Sequence, residues 1–81
     1  MRLDKYLKVS RLIKRRTVAN EACDAGRIEV NSKVARASYE VKEGDIITIN
    51  MGNNRLSVKV IKINEYAKKE DAATNYMVIE G

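Results

Sequence analysis

The sequence predicts an α+β fold: two short N-terminal helices packed on a small twisted, mainly antiparallel sheet of four to five strands. Two patterns predict it. Apolar residues recur at helical spacing before Gly26 and at alternate positions from Ile28 onward. Gly26, Gly44 and Gly52 fall at the joints between these runs. With 81 residues the chain is expected to form one domain, spanning 1–81. A chain of this size buries only about 60% of its unfolded surface. Phe and Trp are absent, so the core must come from Leu, Ile, Val, Met and Ala.

Leu3, Tyr6 and Leu7 stand at i, i+3, i+4, one face of a first helix. Asp4 lies in its first turn, where negative charge suits the helix dipole. Ser10 to Lys14 reads as a connection anchored by Leu12 and Ile13. A second helix is expected from Thr17, a suitable N-cap, to Ala25. Val18, Ala19, Ala22 and Cys23 would form its inner face, with Cys23 an inert packing residue. Gly26 suits a left-handed helix end.

Ile28 and Val30 then alternate with charged residues in a short strand. Asn31-Ser32 is the expected turn, although a tight primed turn needs positive φ at both central residues and Ser32 is strained there. Val34 begins the return strand. Val41 to Asp45 forms a turn into a strand from Asp45 to Met51, with Ile47, Ile49 and Met51 on one face. Gly52-Asn53-Asn54 makes a second hairpin turn. Leu56, Val58 and Val60 alternate, and Ile61 and Ile63 continue one residue out of phase, which predicts a bulge or bend. Lys68 to Ala73 is a polar turn or loop, and Tyr76 to Ile79 a closing strand.

Charge divides the chain unevenly. Residues 2–37 hold ten basic side chains against four acidic ones, a net +6; residues 38–81 hold six against seven, a net −1. A one-sided cationic set is the footprint of a phosphate-backbone partner. A merely solvated helical face would not leave the strands of the same chain balanced. The candidate RNA-binding residues are Arg2, Lys5, Arg11, Lys14, Arg15, Arg16, Arg27, Lys33 and Arg36. Arg11, Lys14 and Arg15 would share a side if their connection were helical. Lys14-Arg15-Arg16 lies at the start of the second helix, whose unpaired N–H groups also favour an anion. Arg2, near the chain start, is expected to be free to reach out. Arg can grip a phosphate with two parallel hydrogen bonds, which Lys cannot. Lys8 and Lys42 read as solvated and Tyr6 as core. Tyr39, Tyr66 and Tyr76 are too scattered for a base-stacking stripe.

Other function classes find little support. No apolar run approaches the roughly 20 residues that span a bilayer, and charges at Arg2, Asp4 and Lys5 leave no apolar leader. A single Cys points to a reducing cytosol, so a cytoplasmic location is expected. Without His, and with one Cys, the usual zinc site cannot be assembled, and no cofactor is expected. There is no His base, Gly-rich phosphate loop or distinctive carboxylate pair, so Asp4, Glu21 and Asp24 read as ordinary helix residues and no catalysis is expected. The helices lack the bulky apolar stripe of a membrane-surface binder.

The residues also carry a family likeness. Arg2-Leu3-Asp4-Lys5-Tyr6-Leu7, Arg11-Leu12-Ile13-Lys14-Arg15-Arg16-Thr17, Gly26-Arg27-Ile28 with Val30-Asn31, Ala35-Arg36-Ala37-Ser38 and Gly44-Asp45 fall in order over about residues 2–50. This pattern resembles the S4 RNA-binding domain. The resemblance implies two helices on a small sheet and recognition of structured RNA by the helical face. Because the chain stops at Gly81, it resembles the stand-alone members of ribosome-associated quality control, relatives of a ribosome-associated heat-shock protein. They imply binding to an obstructed large ribosomal subunit, with contacts to large-subunit ribosomal RNA and P-site tRNA, alongside a factor that tails the nascent chain with alanine. They also imply that residues matching Arg2 and Arg16 carry the RNA contacts. Ser32 departs from the family's frequent Gly. A monomer is expected. An RNA chaperone in large-subunit assembly or in recycling of blocked subunits, and a detached targeting module of an enzyme, remain alternatives.

Overall fold

The computed structural model describes residues 1–63 and 75–79. Helix α1 spans Leu3–Val9 and helix α2 spans Arg16–Asp24. Five strands follow: β1 Ile28–Val30, β2 Lys33–Val34, β3 Ile46–Met51, β4 Asn54–Val60 and β5 Tyr76–Ile79. They form one antiparallel sheet in the order β2-β1-β3-β4-β5. The expected two-helix α+β architecture is therefore the observed one. The expected turn or loop at Lys68–Ala73, and Tyr66, lie outside the described residues.

The core joins Leu3, Tyr6 and Leu7 of α1 and Ala19 and Cys23 of α2 to Ile28, Val30, Ile47, Ile49, Val58 and Val60 of the sheet. Ala19 and Cys23 are the close-packing residues of α2, and its small inner stripe lets it lie close to α1. Val18, expected on that stripe, is 45% exposed. It stands one residue before Ala19, and a step of roughly 100° about the helix axis carries it off the inner face. Met51 departs in the same way: Ile47 and Ile49 are buried, but Met51 at the strand end is 59% exposed.

The helix ends are instructive. The N-cap of α2 lies two residues earlier than expected. Arg15 is its N-cap, with no side-chain cap bond, and Arg15 O accepts the N–H of Ala19 at 3.0 Å. Thr17 is thus an exposed first-turn residue rather than the cap. At the other end Gly26 takes φ +75°, its N–H donates to Cys23 O, and Arg27 N–H donates to Ala22 O. This paired pattern is a Schellman motif with glycine at its left-handed position.

The β1–β2 connection is the two-residue turn. Val30 pairs with Lys33, and Asn31 and Ser32 both take positive φ, at 52° and 71°. At the end of β4, the N–H groups of Ile61 and Lys62 both donate to Asn75 O, at 2.9 and 3.1 Å. Two residues facing one carbonyl is the local irregularity that the change of apolar phase at Ile61 predicted.

Candidate nucleic-acid interface

The first residues are pinned rather than free. Leu3 N–H donates to Tyr39 O, Asp4 N–H to Ala37 O, and Val41 N–H to Met1 O. Arg2 forms an antiparallel bridge with Glu40, and the N-terminal ammonium donates to Glu40 Oε1 at 3.1 Å. The backbone of Arg2 is therefore fixed against the segment before β3, and only its side chain can reach outward.

Asp4 sets where that side chain goes. Its side chain is 3% exposed and accepts four hydrogen bonds. Oδ1 accepts from Lys5 N–H at 2.8 Å and from Arg2 Nε at 3.3 Å. Oδ2 accepts from Asn20 Nδ2 at 3.2 Å and from Arg16 Nε at 3.4 Å. Burial alone would raise the Asp4 carboxyl. The bonds from Asn20, Arg16 and the Lys5 backbone, with the charge of Arg16, outweigh it and hold the pKa below 3.8. Asp4 therefore remains a carboxylate at neutral pH.

Both arginines use Nε to reach Asp4, and their side chains stay 50% and 47% exposed. Each can thus keep its outer guanidinium edge toward solvent. Arg2, Lys5 and Arg16 line one open depression with Met1, Glu40 and Ile63. Arg2 is the N-cap of α1, Lys5 lies within α1, and Arg16 is the first residue of α2. The packing of the two helices brings three cations to one place although the sequence separates them.

The remaining candidates lie elsewhere. Arg11, Lys14 and Arg15 are exposed on the α1–α2 connection. That connection is not helical, so they do not share a helix face: Ser10 ends α1 and Arg11 turns into the left-handed region at φ +58°. Lys33 and Arg36 line a separate depression with Asn31, Ser38 and Tyr39. Arg27 lines the groove between α2 and β3, together with Glu21. Eight of the nine candidates are exposed and Lys5 is half-buried.

A second buried carboxylate organises the Lys33–Arg36 edge. Asp45 accepts from Asn31 Nδ2 at 3.1 Å, Tyr39 OH at 3.0 Å and Lys42 N–H at 2.9 Å. Asn31 Oδ1 in turn accepts from Ile46 N–H at 3.0 Å. Burial, then the hydrogen bond and charge of Asp45, push the Tyr39 hydroxyl pKa upward. The β1–β2 turn and the segment before β3 are thereby tied to one point.

Asp4 and Asn20 escaped the residue-level reading. An acidic residue in a first helical turn is explained by the helix dipole alone, and nothing in the spacing announces that Asn20 lies across from it. Only the family-like opening Arg-Leu-Asp-Lys marked the position. Among the described residues no group of acidic, Cys or His side chains could hold a metal ion. No helix of the described residues is long and apolar enough to cross a membrane.

Comparison with known proteins gives a consistent picture. The S4 domain family model matches residues 1–47. The chain is 56% identical over 79 residues to the RQC P-site tRNA stabilizing factor of Streptococcus pneumoniae, covering 98% of this chain and 90% of that one. It is 50% identical over 80 residues to the factor of the same name from Bacillus subtilis, covering 99% and 93%. The solved trimeric Heat Shock Protein 15 of Vibrio cholerae superposes with a TM-score of 0.90 at 28% identity, over 98% of this chain and 81% of that one.

Proposed function

The chain belongs to the S4 domain family, and from that premise we propose that it is a non-enzymatic RNA-binding factor that steadies P-site tRNA on large ribosomal subunits during ribosome-associated quality control. The names of its relatives support the setting. The observation that carries the chemistry is the depression lined by Arg2, Lys5 and Arg16, whose two arginines are oriented by Asp4.

Arg2, Lys5 and Arg16 grip one phosphate backbone, and Lys33 and Arg36, on a different edge, meet a second. Large-subunit ribosomal RNA and P-site tRNA offer two such backbones side by side. Arg11, Lys14, Arg15 and Arg27 extend the cationic surface between and beside them. Recognition is by shape and phosphate position, because the deep major groove of A-form RNA hides base identity. The protein acts as a monomer in the bacterial cytoplasm and holds the tRNA while a separate factor tails the nascent chain with alanine.

Crosslinking followed by sequencing of the RNA recovered with the tagged protein tests this reading. It should yield tRNA together with mature large-subunit RNA. Recovery of precursor ribosomal RNA without tRNA would instead assign the protein to subunit assembly.

A further inference from the structure

Two helices of this chain end in the same motif, with different residues at the critical position. At the end of α2, Gly26 takes φ +75°, with Gly26 N–H on Cys23 O and Arg27 N–H on Ala22 O. At the end of α1, Arg11 takes φ +58°, with Arg11 N–H on Lys8 O and Leu12 N–H on Leu7 O, each at 3.0 Å. Leu12 is packed against the core that contains Leu7, which completes the motif. The left-handed position strongly favours glycine, because any Cβ there crowds the following carbonyl. Arginine is a poor choice for the backbone at position 11.

The side chain gives no structural reason for it. Arg11 is exposed, and among the described residues it has no ion-pair or hydrogen-bond partner for its guanidinium. Lys14 and Arg15 on the same connection are likewise exposed and without an ion-pair partner among the described residues. A strained, solvent-facing arginine beside two further cations fits a contact that forms only with a ligand.

We propose that the end of α1 is a distinct RNA phosphate contact, at which Arg11 is held in a left-handed conformation to present its guanidinium with Lys14 and Arg15. The proposal rests on the RNA-binding reading above and adds a contact point separate from the Arg2–Lys5–Arg16 depression. The fold gives up stability at this turn and directs the Cα–Cβ bond of an arginine outward from the end of α1.

The test compares wild type, Arg11→Gly, Arg11→Lys and Arg16→Ala. Each is melted thermally and titrated against purified large subunits carrying peptidyl-tRNA. Arg11→Gly should raise the melting temperature by about 4 °C or more while weakening binding about tenfold. Its plot of log affinity against log salt should be shallower by about one unit. Arg11→Lys should melt like wild type and bind more weakly, because the charge remains but the two-pronged grip does not. If Arg11→Gly binds as wild type while Arg16→Ala does not, the contact at α1 is overturned and the RNA-binding reading stands. If Arg11→Gly melts at or below the wild-type temperature, the residue serves the helix end and the proposal also fails. Absence of wild-type binding would overturn both.

Discussion

Arg2 and Arg16 place their Nε atoms on opposite oxygens of a single carboxylate, Asp4, at 3.3 and 3.4 Å. Those contacts are longer than the roughly 2.7–2.9 Å of tight charge-assisted bonds. They orient the two side chains without enclosing them, and both remain about half exposed. A negative charge at the centre of a cationic site also relieves repulsion between the arginines before any ligand arrives. Side chains already placed lose less freedom on binding, so the carboxylate should strengthen association with an anion rather than weaken it.

Replacing Asp4 by Asn tests this directly. The amide would turn a donor toward Arg16 or Asn20, which are themselves donors. The fold should lose about 1–3 kcal/mol, read as a lower melting temperature. Two arginines must then be ordered on binding, at roughly 0.5–1.5 kcal/mol each, so affinity for large subunits should fall about tenfold. Unchanged or tighter binding by Asp4→Asn would show that the carboxylate plays no part in placing them.

The same carboxylate predicts an acid limb in stability. Its folded pKa lies below the ordinary 3.8, so its contribution is fully present above pH 3.8 and is lost as pH falls through the lowered value. Denaturant unfolding of wild type and Asp4→Asn should therefore differ most at pH 6, and the difference should shrink as pH falls below 3.8. At the alkaline end, burial pushes Tyr6 up to about 12. Stability from Tyr6 is intact below pH 10 and should decline as pH rises toward that value.

Ser32 carries a cost that glycine would not. With φ 71° in an exposed two-residue turn, Ser32→Gly should stabilise the protein by about 1 kcal/mol. That corresponds to roughly 4–8 °C in melting temperature for a chain of this size. RNA binding should not change. A lower melting temperature would mean the serine side chain contributes something its backbone strain conceals.

Tyr39→Phe removes one of the three hydrogen bonds to Asp45. The expected loss is about 1 kcal/mol by denaturant titration. Binding through Arg2 and Arg16 should persist, because Tyr39 anchors Leu3 through its backbone carbonyl rather than its hydroxyl. No change in stability would indicate that Asn31 and the Lys42 N–H satisfy Asp45 alone.

The fold was readable because its signals are local. The change from helical to alternating periodicity at Gly26, the glycines at positions 26, 44 and 52 and the phase slip at Ile61 each act within a few residues. The helix start was misread for a related reason: Thr17 is a good cap in isolation, but the first turn of α2 closes on Arg15 O. The cationic half was legible as a charge imbalance, and its subdivision was not. Bringing Arg16 beside Arg2 and Lys5 requires α2 to pack on α1, and placing Asn20 opposite Asp4 requires the same contact. The left-handed backbone of Arg11 was hidden for the opposite reason, since no sequence rule expects arginine there.

The most direct measurement is the affinity of wild type, Arg2→Ala and Arg16→Ala for large subunits carrying peptidyl-tRNA, taken across a series of salt concentrations. The arrangement around Asp4 predicts that each substitution weakens binding about tenfold or more and makes the salt dependence shallower by about one unit, with the fold intact by circular dichroism. Wild-type affinity and an unchanged salt slope in both variants would contradict it.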